Sequence, residues 1–124
     1  MNLSLFCHLI IHMETNLVLA SASPVRRTML TQANVMFTIC PVKIDESAIR
    51  DSLAADGVRP RDIGDALAEM KALRISRKSP GRLILGCDQV LDLDGKVMAK
   101  PETQDDVRSQ LVRLRGRSHE LYSA

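Results

Sequence analysis

The sequence feature that most constrains the fold is a short apolar run that leads directly into a helix start. Residues 16–20 contain the run LVLA, which predicts a buried strand, and the sequence SASPVRR follows without a break. Ser23 is a good N-cap residue and Pro24 suits the first helical position, which predicts a helix to about Ala33. A strand that passes so quickly into a helix indicates a mixed domain of the α/β or α+β class.

The middle of the chain continues this alternation. The run VMFTIC at residues 35–40 predicts a second strand, and a polar connection rich in Asp and Arg follows it. A helix is predicted to begin near Pro60. Its apolar face is predicted to consist of Ile63, Leu67, Met70 and Leu73. The sequence RLILG at residues 82–86 predicts a third buried strand after the break SPG.

The last third of the chain contains a hairpin, a helix and a strand. The sequence LDLDGKVM carries an Asp-Gly pair, which favours a tight hairpin. Thr103 with Asp106 three residues later predicts the start of a helix, and Gly116 predicts its end. The sequence HELYSA predicts a final strand, whose edge further sequence or another chain would cover.

The composition argues against several classes of partner and site. The 124 residues are 45% apolar and 26% charged, which is typical of one ordinary folded domain. A net charge of +2 and few aromatic residues argue against a nucleic-acid partner. Three widely spaced cysteines without a C-x-x-C pair predict neither a disulfide framework nor a zinc site, and they favour a reducing, cytoplasmic setting.

The N-terminal segment is expected to lie outside the domain. Residues 1–12 contain an apolar run that no Lys or Arg precedes and that is too short to span a bilayer, so no secretion signal or membrane anchor is predicted. We interpret residues 1–12 as a leader, Met13 as an alternative start and residues 13–124 as the domain. His8 and His12 have the spacing of helical metal ligands, but no carboxylate accompanies them and no metal site is predicted there.

Two arginines in the first predicted helical turn are the first candidates for function. Arg26 and Arg27 lie where the helix dipole disfavours positive charge, at a cost of about 0.3–1 kcal/mol each. Backbone N–H groups at a helix N-terminus bind anions, and a phosphate held between them and the guanidinium groups would make both arginines favourable. The alternative is that both arginines point to solvent and Ser23 only caps the helix.

Acidic residues after predicted strands form a second group of candidates. Asp45 and Glu46 follow the second strand, and Asp88 with Gln89 beside it follows the third. Carboxylate oxygens suit Mg²⁺, which takes one or two of them together with substrate phosphates and water. A carboxylate near that metal can also deprotonate an attacking water. The alternative is that these residues only form loops and turns, in which Asp is common.

Two lysines are candidate counter-charges for phosphate. Lys71 lies near the edge of the apolar face of the long predicted helix, and Lys100 follows the hairpin in the sequence AKPE. The alternative for both is ordinary exposure to solvent. No glycine-rich phosphate loop or dinucleotide fingerprint occurs, and His119 has no recognisable nucleophile beside it.

Six sequence elements occur together between residues 16 and 124, namely LVLASASPVRR, KIDE, LAEMKA, ILGCDQV, LDGKVMAKP and LRGRSHELYSA. In this order and spacing they resemble the Maf family of nucleoside triphosphate pyrophosphatases. The resemblance implies a mixed α/β, Maf/ITPase-like fold, with helices that flank a central mixed sheet. It also implies hydrolysis of a nucleoside triphosphate between the α- and β-phosphates, with Mg²⁺ or Mn²⁺ as the cofactor.

The resemblance also implies roles for individual residues. Asp88 matches the proton acceptor of the family, and Glu46 its acidic site residue, so both are expected to hold the metal. The expected phosphate contacts, together with the helix N-terminus, are Ser21, Arg26, Arg27, Lys71 and Lys100. The leading hypothesis is therefore a metal-dependent pyrophosphatase whose partner is a small-molecule nucleotide.

Two positions bear on the choice of nucleotide. Many family members have arginine where this chain has Val25, and threonine where it has Gln89. This combination resembles the branch that prefers 7-methyl-GTP rather than the branch that prefers dTTP and UTP. The amide of Gln89 offers a base both a donor and an acceptor. The resemblance implies the removal of modified or non-standard nucleotides.

Family members continue beyond the sequence HELYSA with further strands, helices and a substrate-contacting segment. The chain is therefore expected to be the N-terminal portion of such a domain, and its fold to be incomplete at the C-terminus. The alternative hypothesis is a non-catalytic nucleotide-binding protein or an inactive portion of such an enzyme. A homodimer is a further expectation.

Overall fold

The computed structural model describes residues 16–124, which contain four helices and six strands. In chain order the elements are β1 (Leu17–Leu19), α1 (Pro24–Gln32), β2 (Thr38–Ile39), α2 (Glu46–Ala55), α3 (Pro60–Ser76), β3 (Leu83–Leu85), β4 (Gln89–Leu93), β5 (Lys96–Met98), α4 (Gln104–Leu114) and β6 (Glu120–Ser123). The predicted leader, the alternative start at Met13 and the pair His8 and His12 lie outside the described residues. Within residues 16–124, no helix has the length and apolar character needed to cross a membrane.

The α/β class is confirmed, and the described strands form two three-stranded sheets where a single mixed sheet is predicted. One sheet is parallel, in the order β2-β1-β3, and the other is antiparallel, in the order β5-β4-β6. Residues 86–88 join the last strand of the first sheet to the central strand of the second. Parallel and antiparallel pairs therefore occur in separate sheets, and residues 86–88 connect the two sheets.

The parallel sheet contains the first part of the core. Its central strand, β1, is paired on both sides, and Val18 and Leu19 are almost fully buried. Burial on both faces explains why this strand has a continuous apolar run instead of an alternating one. The second strand is shorter than the apolar run at residues 35–40 suggests, because Val35 and Met36 are exposed before it begins.

The predicted hairpin is confirmed as the pair β4 and β5 of the antiparallel sheet. Asp94 and Gly95 at its tip both have positive φ, 53° and 80°, as a two-residue type I′ turn requires. The predicted final strand is confirmed as β6, which pairs with the other side of β4. Beyond the last strand pair, Asp88 and Ala124 exchange two backbone hydrogen bonds at 2.9 and 3.0 Å.

The long helix α3 begins as predicted but buries a different face. Ile63 and Leu67 are fully buried, whereas Met70 and Leu73 are exposed, so the predicted apolar face is wrong at its last two positions. The buried residues of the helix are Pro60, Ile63, Gly64, Leu67, Ala68, Lys71 and Ile75. The stripe includes Gly64 and Ala68, whose small size lets Val90 and the Gly86 loop come close. Met70 and Leu73 lie outside the stripe.

Helix α2 is missing from the sequence-based prediction, which treats this stretch as a polar connection. Asp45 is the N-cap of the helix, and its carboxylate accepts the Ala48 N–H at 3.0 Å and the Ser47 hydroxyl at 2.8 Å. The Ala48 N–H, and then the Ser47 hydroxyl, hold the pKa of Asp45 below its ordinary value. Asp45 therefore caps a helix and so positions Glu46, which begins the first turn.

Candidate active site

The two loops that carry the candidate side chains meet at one edge of the parallel sheet. Residues 20–23 follow β1 and residues 86–88 follow β3, and these strands are parallel neighbours. Because parallel neighbours end at the same edge, the loops adjoin there, and the Ala20 N–H donates to the Leu85 carbonyl at 2.9 Å. Helix α1 begins directly after the first loop, so its N-terminus opens at this edge.

Arg26 turns back from α1 and joins the two loops. Its Nη1 atom donates to Ser21 Oγ and to the Cys87 carbonyl, at 3.2 Å each. Ser21 is buried, and its Oγ also accepts the Ser23 N–H at 3.2 Å. Arg26 therefore does not extend into solvent. Arg27 is exposed, and within residues 16–124 its side chain has no hydrogen bond or ion pair.

Lys71 is buried at the centre of the candidate site. Its Nζ atom lies 2.7 Å from Asp88 Oδ1 and 3.0 Å from Glu46 Oε1, and it donates to the Cys87 carbonyl at 3.3 Å. The lysine comes from α3, Glu46 from the start of α2 and Asp88 from the end of the β3 loop, so three separate elements converge on one ammonium group. The side chain is 7% exposed, which excludes the alternative of a solvated lysine.

Asp88 retains one carboxylate oxygen without a partner. The residue is 5% exposed, and its Oδ2 atom is buried without a hydrogen bond in the described part of the protein. Buried polar atoms are nearly always paired, so Oδ2 needs a partner that the described residues do not supply. The carboxylates of Glu46 and Asp88 both face Lys71, and the guanidinium of Arg26 shares the Cys87 carbonyl with this lysine.

This donor set fits a divalent cation that the substrate helps to bind. Mg²⁺ needs only one or two carboxylates when phosphate oxygens and water complete its coordination. Two carboxylates meet here, and Asp88 has a free buried oxygen. Residues 16–124 contain no group of three His, Cys, Asp or Glu side chains that could hold a metal ion unaided.

Gly86 allows the β3 loop to reach Lys71, and the sequence-based prediction misses it. A Cβ atom at this position would lie 2.2 Å from the Ala68 carbonyl oxygen and 2.8 Å from the Ala72 amide nitrogen. The loop backbone thus packs directly on the backbone of α3, which brings Cys87 and Asp88 beside the lysine. The strand before it, β3, is predicted as buried, and this is wrong because Leu83 and Leu85 are exposed. A glycine between an apolar strand and a candidate carboxylate is the signal that points to such a close approach.

The other candidate residues lie outside this cluster. Val25 is 65% exposed on α1. The Gln89 amide donates to Ser123 Oγ at 3.1 Å, which links β4 to β6 beside Asp88. Lys100 is exposed between β5 and α4, and it has no hydrogen bond or ion pair with any described residue.

Comparison with known proteins identifies relatives over the whole described region. A family model described as Maf-like protein matches residues 16–124. The chain is 51% identical over 110 residues to nucleoside triphosphate pyrophosphatase 1 of Jannaschia sp. (strain CCS1), a match that covers 89% of this chain and 56% of the relative. It is 46% identical over 112 residues to a nucleoside triphosphate pyrophosphatase of Ruegeria sp. (strain TM1040), with 90% and 56% covered.

A third relative has a more specific name. The chain is 40% identical over 112 residues to a 7-methyl-GTP pyrophosphatase of Brucella abortus biovar 1 (strain 9-941), again with 90% of this chain and 56% of the relative covered. The chain therefore spans about half the length of the curated relatives it matches.

Proposed function

This chain belongs to the Maf family, and we propose that it forms the phosphate-binding and catalytic part of a nucleoside triphosphate pyrophosphatase. The reaction is hydrolysis between the α- and β-phosphates to the monophosphate and pyrophosphate. In this proposal residues 13–124 are the N-terminal portion of the enzyme domain and residues 1–12 are a leader. The observation that carries the proposal is the convergence of Glu46, Lys71 and Asp88 beside the Arg26 loop.

In this proposal the phosphate groups bind at the start of α1. Pro24 has no N–H and the N–H groups of Arg26 and Arg27 bond to Ser23, so the attraction comes mainly from the helix dipole, which favours negative charge at this end. Arg26 already donates to Ser21 and to the loop carbonyl at Cys87, so its guanidinium is held beside that position and has further N–H donors for a phosphate. Arg27 is exposed in the first turn of the same helix, and exposed Lys100 is a further positive charge available to the phosphates in this proposal.

Asp88 activates the attacking water in this proposal. The carboxylate is buried, and its unpartnered Oδ2 can accept a proton from water. As the water oxygen bonds to phosphorus, its proton passes to Oδ2, and the bridge between the α- and β-phosphates breaks with pyrophosphate as the leaving product. Glu46 and Asp88 would hold Mg²⁺ or Mn²⁺, which when bound neutralises phosphate charge and polarises phosphoryl oxygens.

We propose 7-methyl-GTP as the preferred nucleotide. Val25 and Gln89 support this preference, because both differ from the residues that many family members carry. The name of the Brucella abortus relative agrees with it. The proposal further includes a cytoplasmic location, free nucleotide as the partner instead of nucleic acid or membrane, and a homodimer.

The proposal predicts pyrophosphate release that depends on Asp88. We expect the chain to release pyrophosphate from 7-methyl-GTP in the presence of Mg²⁺ faster than from GTP, dTTP or UTP. Asp88→Asn should lower the rate by about 10²- to 10⁴-fold, because it removes the proton acceptor. Asp65→Asn is the matched control, since Asp65 is an exposed carboxylate on α3, and it should retain the wild-type rate. Full activity of Asp88→Asn would contradict the mechanism.

A second candidate function is nucleotide binding without turnover. It is favoured by the Arg26 loop, whose contacts with Ser21 and the Cys87 carbonyl offer positive charge to an anion without the carboxylates that hydrolysis needs. Calorimetry distinguishes the two candidates. Saturable binding of 7-methyl-GTP in Mg²⁺, with no pyrophosphate formed, would support the binding function and contradict hydrolysis by this chain.

A further inference from the structure

Three oxygen atoms surround the ammonium group of Lys71. Nζ donates hydrogen bonds to Asp88 Oδ1 and to the Cys87 carbonyl, and it forms an ion pair with Glu46 Oε1 at 3.0 Å. The side chain is almost completely enclosed. In this arrangement Lys71 neutralises carboxylates and is not available to bind a phosphate.

One carboxylate oxygen beside Lys71 nevertheless has no partner. A single ammonium group contacts both carboxylates, and Asp88 Oδ2 is buried without a hydrogen bond in the described residues. The unpaired Asp88 Oδ2 indicates that the site between the two carboxylates also suits an occupant of higher charge than the ammonium group. Glu46 is 37% exposed at the start of α2, so its side chain has room to move when the occupant changes.

We propose that Lys71 is a displaceable counter-ion, whose ammonium holds Glu46 and Asp88 together until a divalent cation replaces it between them. The proposal rests on the proposed function, which supplies the cation. The ammonium and the cation would compete because both are attracted by the same two carboxylates. Once released, Lys71 is free to bind a phosphate near Arg26, which shares the Cys87 carbonyl with it. Cation binding and phosphate binding are thereby coupled through one lysine.

The first test measures how readily Lys71 reacts with an amine-directed reagent in the wild-type chain. Mass spectrometry would quantify labelling with and without Mn²⁺, and calorimetry on the same sample would establish saturation. We expect Mn²⁺ to raise the labelling rate of Lys71 severalfold, because the ammonium leaves its ion pairs. Lys78, an exposed lysine just after α3, is the internal control, and its rate should not change.

The outcomes separate this inference from the proposed function. Saturating Mn²⁺ with an unchanged or lower labelling rate of Lys71 would overturn the displacement while leaving the metal site intact. Absence of Mn²⁺ binding at any concentration would overturn both the displacement and the metal part of the proposed function.

The second test compares Mn²⁺ affinity between variants. Lys71→Met removes the competing charge, so we expect it to bind Mn²⁺ about tenfold more tightly than wild type, within the usual range of coupling between two ligands. Lys78→Met should bind as wild type does. If Lys71→Met is unfolded without metal, refolding on addition of Mn²⁺ supports the proposal. Equal or weaker Mn²⁺ binding by a folded Lys71→Met would overturn it.

Discussion

Helices α3 and α4 differ both in the hydrogen bonds at their N-termini and in the number of residues that they bury. Helix α4 has the stronger start, a complete capping box between Thr103 and Asp106, while the N-cap of α3, Arg59, makes no side-chain cap bond. Yet α3 buries seven residues, including Lys71, and α4 buries none among the described residues. Start signals fix where a helix begins, whereas the neighbouring elements determine how much of it is buried.

The two helices also contact their surroundings differently. Helix α3 packs on both sheets, and Gly64 and Ala68 let Val90 and the Gly86 loop come close. The apolar residues Val107, Leu111 and Val112 of α4 are exposed on the surface of this helix. Substitutions on α3 or against it should therefore cost much more stability than equivalent substitutions on α4.

The largest effect is expected for Gly86→Ala. The added Cβ would overlap the backbone of α3 at Ala68 and Ala72, which cannot move without shifting the helix, so we expect a loss of about 3 kcal/mol or more in the free energy of unfolding. Urea denaturation measures this loss. The same shift should separate Lys71 from Asp88, and pyrophosphate release should fall as well.

Gly64→Ala is the matched control for Gly86→Ala. Gly64 lies in α3 itself, whereas Gly86 lies in the loop that packs against this helix. Its Cβ would meet Val90 Cγ2 at 3.4 Å, an ordinary contact, and alanine favours a helix interior. We expect Gly64→Ala to be neutral or to stabilise by about 0.5–1 kcal/mol. Similar losses for the two variants would contradict the assignment of Gly86 as the site of closest approach.

The next effect compares one leucine from each helix. Leu67 in α3 is fully buried, so Leu67→Ala should lower the free energy of unfolding by about 2–5 kcal/mol. Leu111 in α4 is 61% exposed, and Leu111→Ala should change stability by no more than about 0.5 kcal/mol. Denaturant unfolding of both variants checks the contrast. A loss for Leu111→Ala as large as that for Leu67→Ala would mean that α4 is packed, and the comparison of the two helices would fail.

Local signals account for the parts of the fold that the sequence predicts. Ser23 and Pro24 mark the start of α1, the pair Asp94 and Gly95 marks the hairpin, and Thr103 marks α4, because each acts on the backbone within a few residues. Helix α2 is missed because its cap, Asp45, also fits a loop carboxylate and no residue of the helix is fully buried.

The arrangement of the site depends on contacts that no local pattern contains. The sequence predicts Lys71, Asp88 and Glu46 as candidates, but their shared ion pairs join residues from three separate elements. The buried face of α3 is likewise set by the strands packed on it, so Met70 and Leu73 are predicted wrongly despite their apolar side chains. Close approach at Gly86 is visible only when the loop and α3 are seen together.

The smallest expected effect concerns the start of α4, where the helix depends on its cap and not on burial. Asp106 Oδ2 accepts the Thr103 N–H at 2.9 Å and the Thr103 hydroxyl at 2.7 Å. The hydroxyl, and then the N–H, hold the pKa of Asp106 below its ordinary value of 3.8. The stabilisation is therefore complete above pH 3.8 and is lost as the pH falls through the lower folded-state pKa.

Removing the Asp106 carboxylate should cause, near neutral pH, the same loss of stability that its protonation causes in acid. Asp106→Ala should lower stability by a small amount well above pH 3.8, and it should abolish the part of the acid-induced loss that belongs to the capping box. Asp105→Ala is the matched control, because Asp105 lies in the same helical turn and has no hydrogen bond to a described side chain. Thermal unfolding followed by circular dichroism over a series of acidic pH values measures both. If the two variants have the same pH dependence, the helix dipole and not the capping box stabilises this end of α4, and the contrast with α3 is then one of burial alone.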